Sequence, residues 1–164
     1  MSRKSIRHTK DPLKNEVVLL GEKDLKGCVE LDKLVLKGFW SEQQWKDELS
    51  SPFTVCLGII NELQLIAFVS GWIIINKIEI TVLGVHPDFR RQSHGRRILE
   101  TLLKTAIEYN VETALIEVRS DNLPAISLYQ SLLFRKVSIR RKYYKDNSSA
   151  LVLERSLSEK SIID

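Results

Sequence analysis

The chain contains no apolar run near the roughly 18 residues that a membrane-spanning helix needs. Its opening, MSRKSIRHTKDPLKNE, is basic and lacks the apolar core of a secretion signal. Residues 1–15 read instead as a flexible basic arm. Only two cysteines occur, Cys28 and Cys56, far apart and among apolar neighbours. Neither a disulfide framework nor a cysteine-based metal site fits that spacing, so core packing in a reducing compartment, the cytoplasm, is the expectation. His8, His86 and His94 have neither metal-ligand spacing nor an obvious nucleophile beside them. There is no internal repeat, no low-complexity block and no interdomain linker.

What remains is a chain of 164 residues, 43% of them hydrophobic, enough for one domain with its own core over residues 16–164. A net charge of +4 favours an anionic ligand or an acidic partner, although ordinary enzymes are often this basic.

Apolar residues from Glu22 to Lys37 recur at helical spacing, and Gly38 suits a helix stop. Ser41, followed three positions later by Gln44, has the form of a capping box, so a second short helix should start there and end at Pro52. Residues 53–87 are rich in β-branched and aromatic side chains, broken by Asn61-Glu62 and Asn76-Lys77. They predict three strands joined by tight turns. Gly84 in the third strand signals a bulge or a close backbone approach. A helix opening at Gly95, a buried strand ETALIEVRS, a helix LPAISLYQSLL and two closing antiparallel strands complete the chain. The order predicts one α/β (α+β) domain with a mixed sheet flanked by helices.

Three places carry chemistry. HPDFRRQSHGRRIL, residues 86–99, lies between a strand and a helix. Backbone N–H groups of Gln92 to Arg96 at the helix start, with Arg90, Arg91 and Arg96 nearby, suit a phosphate; a solvated basic loop is the plain alternative. Glu117 interrupts the apolar run ALIEV, where a carboxylate is costly unless paired, with Arg119 for example, or working. Tyr129, on the next helix, is a core aromatic on local grounds, and Tyr143 and Tyr144 invite the same reading.

Taken together, FWSEQQW, LGVHPDFRRQSHGRRIL, IEVRSDNLPAISLY and SIRRKYY resemble the GNAT family of N-acetyltransferases. The likeness is strongest to its branch that acetylates the N-terminal alanine of ribosomal proteins, and it spans residues 39–144 in the right order. It implies a mixed, mostly antiparallel sheet and an acetyl-CoA-dependent transferase acting on a protein N-terminal α-amine, a ribosomal protein's alanine being the first candidate. It implies a pyrophosphate site on Arg91, Gln92, Ser93, His94, Gly95 and Arg96, and pantetheine contacts from Leu83, Gly84 and Val85. Asn122 matches a cofactor-contacting asparagine, Glu117 the general base and Tyr129 the general acid. No metal, membrane or direct nucleic-acid partner is implied.

The chain departs from that pattern in three places. Ser93 stands where the loop has its first glycine, Leu133 replaces the glycine of an LGF turn, and Ser148-Ser149 replace an acidic pair. A Cβ at position 93 is awkward if the backbone there needs positive φ or close ligand contact. Other readings are a GNAT protein acting on a small amine or a lysine side chain, and a non-catalytic basic module binding RNA or ribosomes through its arginines.

Overall fold

A computed structural model describes residues 15–158, so the basic arm lies outside the described residues except for Asn15. Seven strands form one sheet. In chain order the elements are β1 (Glu16–Leu19), α1 (Leu25–Val35), α2 (Glu42–Ser50), β2 (Thr54–Asn61), β3 (Gln64–Ile74) and β4 (Lys77–Val85). They are followed by α3 (His94–Glu108), β5 (Thr113–Arg119), α4 (Leu123–Ser131), β6 (Arg135–Arg140) and β7 (Ala150–Ser156). The sheet order is β1-β2-β3-β4-β5-β7-β6, all antiparallel except the β4–β5 pair, which α3 connects. A parallel pair needs such a crossover, and here a helix supplies it. The mixed, mostly antiparallel sheet expected from the sequence is what forms.

Local chemistry explains most element boundaries. Ser41 caps α2: its Oγ accepts from Gln44 N at 3.2 Å, and Gln44 Oε1 accepts from Ser41 N at 2.9 Å. The helix read from Glu22 onward starts as a single 3-10 turn, Glu22–Asp24, before α1. The first strand went unread: EVVL is only four residues long, and it is defined by pairing with β2 rather than by its own pattern.

The two faces of the sheet differ. On one side, α3 and α4 cover a core that includes Ile98, Leu99, Leu102, Tyr129 and Phe134, with Ala114, Ile116 and Val118 from β5. On the other, α1 and α2 cover Cys56, Leu65, Phe68 and Val82. Cys28 and Cys56 are free and buried in this second core. Burial pushes the Cys28 thiol up to about 12 and the Cys56 thiol well above its ordinary value, so both are packing residues.

Glycine is scarce, 7 in 164 residues, and the turns pass to other residues. Nine non-glycine residues of the described chain adopt positive φ, among them Arg91 (58°), Ser93 (62°) and Leu133 (66°). A left-handed conformation costs an L-residue about 1–2 kcal/mol.

Candidate active site

The site forms where two neighbouring strands part. β4 pairs with β5 from Lys77–Thr113 to Ile80–Ile116 and no further, although β4 runs on to Val85 and β5 to Arg119. The next residue of β4, Thr81, is a bulge: Ser70 pairs with Val82 and Gly71 with Ile80. The insertion reverses the alternation. Ile78 and Ile80 pack toward α3, whereas Val82 packs toward α1 and α2, and Leu83 and Val85 return to the α3 side.

The expected bulge at Gly84 is therefore misplaced by three residues. Gly84 pairs in register with Phe68. Its second reading, a close approach, fits: a Cβ there would meet Val35 Cγ2 at 2.7 Å, because the end of α1 lies against the strand.

Beyond Val85 the chain makes a 3-10 turn, Pro87–Phe89, and enters α3. Arg91 and Ser93 are left-handed and Gln92 is not. Such alternation turns successive N–H groups toward one side and forms an anion-binding hollow. Arg97 N bonds Ser93 O at 3.0 Å as the first backbone bond of α3. The N–H groups just before it, including those of His94, Gly95 and Arg96, find no acceptor in the described residues, and the helix dipole adds partial positive charge there.

The four arginines of the loop are not equivalent. Arg90 Nε bonds Val85 O at 3.1 Å, and Arg96 is held by Glu100 at 3.1 Å and Ser131 at 2.9 Å. Arg97 turns inward and donates to the Asn15 carbonyl. Arg91 alone is exposed and without a side-chain partner among the described residues. Gln92 Nε2 bonds Asp88 O at 3.3 Å, and the exposed Ser93 hydroxyl caps nothing. His94 is only 8% exposed, yet neither ring nitrogen has a partner. Burial, then the Arg97 charge, lowers its pKa below the ordinary 6.5.

Glu117 projects from β5 on the face opposite Ile116 and Val118. That face of β5-β7-β6 lies beyond the cover of α1 and α2, so the carboxylate remains 35% exposed. Its partner is not the expected Arg119 but Arg140, at 2.9 Å. The register explains this. Glu117 lies opposite Val152 and Arg140 opposite Ala150, so the pair reaches diagonally across β7, a long-range relation that sequence neighbours do not reveal.

Arg119 instead fastens the loop before β7. It bonds Asp121 at 3.1 Å and Asp146 at 2.7 Å, and its guanidinium lies 4.8 Å from the Tyr144 ring centroid. These bonds hold the Asp121 and Asp146 carboxyls below the usual carboxylate range. Tyr144 is thereby brought close enough for the Glu117 charge to add to burial in raising its phenol pKa. Nothing in the sequence marked Tyr144 over Tyr143.

Tyr129 lies on the α4 side, 5% exposed, with its ring 5.9 Å from Phe134. Burial alone raises its pKa well above 10, so it stays protonated at neutral pH. It belongs to the core on the face opposite Glu117, and the sheet opens between the two faces where β4 and β5 separate. Asn122 N-caps α4, its Oδ1 accepting from Ala125 N at 3.3 Å. Among the described residues no cluster of His, Cys, Asp and Glu could hold a metal, and no helix is long and apolar enough to cross a membrane.

A mixed sheet split beside a bulge, with an anion-binding helix start at the split and a half-exposed carboxylate across it, defines an acyl-transfer scaffold. Residues 25–134 match the Acetyltransferase (GNAT) family, and the chain belongs to it. It is 29% identical over 130 residues to a "[Ribosomal protein bS18]-alanine N-acetyltransferase" of Salmonella typhimurium, covering 79% of this chain and 87% of that protein. It is 30% identical to "N-alpha-acetyltransferase RimI" of Mycobacterium tuberculosis, covering 74% and 79% respectively. Among solved structures, the ribosomal-protein-S18-alanine N-acetyltransferase of Escherichia coli superposes with a TM-score of 0.83 at 27% identity, covering 88% of this chain and 95% of that one. The chain is an N-acetyltransferase in its activity class.

Proposed function

We propose that the chain transfers an acetyl group from acetyl-CoA to the N-terminal α-amine of a protein, with the N-terminal alanine of a ribosomal protein as the acceptor of choice. The acceptor rests on the names of the relatives, which are similar over most of both chains. The carrying observation in the molecule is Glu117, a carboxylate that among the described residues has one ion-pair partner and lies on a face no helix covers, beside the split. Two free, buried cysteines fit a reducing cytoplasm.

Acetyl-CoA would supply an activated acetyl thioester. The loop from Arg91 to Arg96 suits its pyrophosphate through unbonded N–H groups and the uncommitted Arg91, and the split leaves the β5-side edge of Leu83, Gly84 and Val85 without a β5 partner for the pantetheine arm. Asn122, capping α4 through Oδ1, keeps its amide nitrogen free for the same ligand.

An α-amine has a pKa near 7.7–8.0, so most of it is protonated at neutral pH and cannot attack a carbonyl. Glu117 would accept that proton, directly or through one water, and a positioned base is worth about 10²–10⁴-fold. The leaving thiolate needs a proton; Tyr129 holds one and has no hydrogen-bond partner among the described residues. Arg140 would orient the Glu117 carboxylate, and Tyr144 lines the acceptor side.

The test is free-thiol release from acetyl-CoA with peptides beginning in alanine, serine and methionine. Wild-type turnover should favour alanine. Glu117→Gln should slow turnover about 100-fold or more while acetyl-CoA binding stays within about twofold, and Tyr129→Phe should behave likewise with a smaller loss. Unchanged turnover in both variants removes the assigned roles. Turnover of free lysine or a small amine in preference to every peptide removes the proposed acceptor.

A further inference from the structure

The bulge that opens the site is held from outside the sheet by Glu48. This residue lies on the buried face of α2 between Trp45 and Leu49, 4% exposed. Its Oε1 accepts from Ser70 Oγ and, at 3.3 Å, from Thr81 Oγ1; its Oε2 accepts from Trp72 Nε1 at 2.6 Å. Three donors from β3 and β4 converge on one buried carboxylate, which leaves it little capacity to accept a substrate proton. Those three bonds make it an anchor.

What it anchors is specific. Ser70 and Thr81 sit on either side of the register shift, and Thr81 is itself the inserted residue. Thr81 also immediately follows Ile80, the last β4 residue paired with β5. Its single hydroxyl proton is shared between Glu48 Oε1 at 3.3 Å and the Ser70 carbonyl oxygen at 3.2 Å, so it bridges α2 to the point where the strands part. Without the inserted residue the register beyond it would shift by one, which turns every following side chain to the other face. Leu83 and Val85 would then leave the α3 core, and Gly84 would no longer lie beneath Val35.

We infer that Glu48 is a positioning residue for the acetyl donor: through Thr81 it fixes the bulge, and thereby which backbone groups of Leu83 to Val85 line the split. This rests on the reading of the split as the acetyl-CoA site. It assigns α2 a part in donor binding in addition to its place in the core.

Thr81→Val keeps the side-chain shape and removes the bridging hydroxyl, Thr81→Ser keeps the hydroxyl, and Trp72→Phe removes a donor to the same carboxylate without touching the bulge. Acetyl-CoA affinity by calorimetry, steady-state constants with an alanine-initiated peptide, and Tm should be measured for each full-length variant. Thr81→Val should raise Kd and KM for acetyl-CoA about tenfold, the scale of one hydrogen bond, with peptide KM within about twofold. Thr81→Ser should restore both. Trp72→Phe should lower Tm comparably with donor affinity unchanged. Adding Glu48→Ala to Thr81→Val should weaken binding no further than Glu48→Ala alone, because both remove one contact. Wild-type binding in Thr81→Val, or equal weakening in Trp72→Phe, overturns the inference and leaves the functional reading standing. Failure of the wild-type chain to bind acetyl-CoA overturns that reading, and the inference falls with it.

Discussion

The two halves of the sheet are built on different terms. β1 to β4 are clamped between α1 and α2 on one face and α3 on the other, whereas β5, β7 and β6 have α3 and α4 on one face and, among the described residues, no helix on the other. The carboxylates follow this division. In the clamped half, Asp32 is fully buried and takes the N–H groups of Phe39 at 2.8 Å and Trp40 at 3.0 Å and the Trp45 indole at 2.6 Å. Glu48 is buried and held by three donors in the same way. In the open half, Glu117 has Arg140 and solvent. A buried carboxylate held by three donors holds structure; an exposed one with a single partner can do chemistry.

The sharpest test of that division is stability. Asp32→Ala leaves two part-buried backbone donors and a buried indole without their acceptor, and should cost about 3 kcal/mol or more by urea unfolding. Glu117→Ala removes one partly exposed ion pair and should stay within about 1 kcal/mol. Equal losses would dissolve the distinction between the halves.

The same division separates what was legible in the sequence from what was not. The capping box at Ser41 and Gln44, the helical stripe of Ile98, Leu99, Leu102 and Leu103, and the strand-loop-helix setting of Ser93 are local patterns, and each folds as its residues predict. Asp32 and Glu48 were passed over, though a signal existed. Asp32 falls four residues after Cys28 and Glu48 three after Trp45, on the apolar face of each helix, where a carboxylate needs partners. The bulge at Thr81 and the partner of Glu117 had no local signal. One is set by a side chain from α2, the other by a register across β7, and neither relation is short in sequence.

His94 sits at the seam between the halves and offers a smaller, pH-dependent test. Its pKa is lowered in the folded chain, so the unfolded chain takes up the proton first as pH falls through about 6.5. Its contribution to stability is therefore best above that pH and worsens below it. His94→Leu removes both unpartnered nitrogens and the titration, and should gain about 1 kcal/mol at pH 7.5 and more at pH 5.5 in urea unfolding. A gain that is the same at both pH values would show that the ring does not titrate against folding.

The smallest effect concerns the glycine-poor turns. Ser93 and Leu133 both hold left-handed backbone where glycine is strain-free, but they differ in what surrounds them. Leu133 ends α4 in the position after the C-cap, with Leu133 N bonded to Gln130 O and Phe134 N to Tyr129 O, both at 3.0 Å, and its side chain is 69% exposed. Leu133→Gly should relieve about 1–2 kcal/mol of backbone strain, lose little burial, and return about 0.5–1 kcal/mol through the freer unfolded chain. The net is a gain of roughly 0.5 kcal/mol, read as a rise of about 1–2 °C in Tm, with acetyl-CoA affinity unchanged. Ser93→Gly changes the same backbone term inside the anion-binding loop, so its readout is ligand affinity: acetyl-CoA should bind as tightly or up to about threefold tighter. Weaker binding in Ser93→Gly would mean that the serine hydroxyl, free of any cap, contacts the ligand, and that the open half recruits a side chain where glycine would offer only backbone.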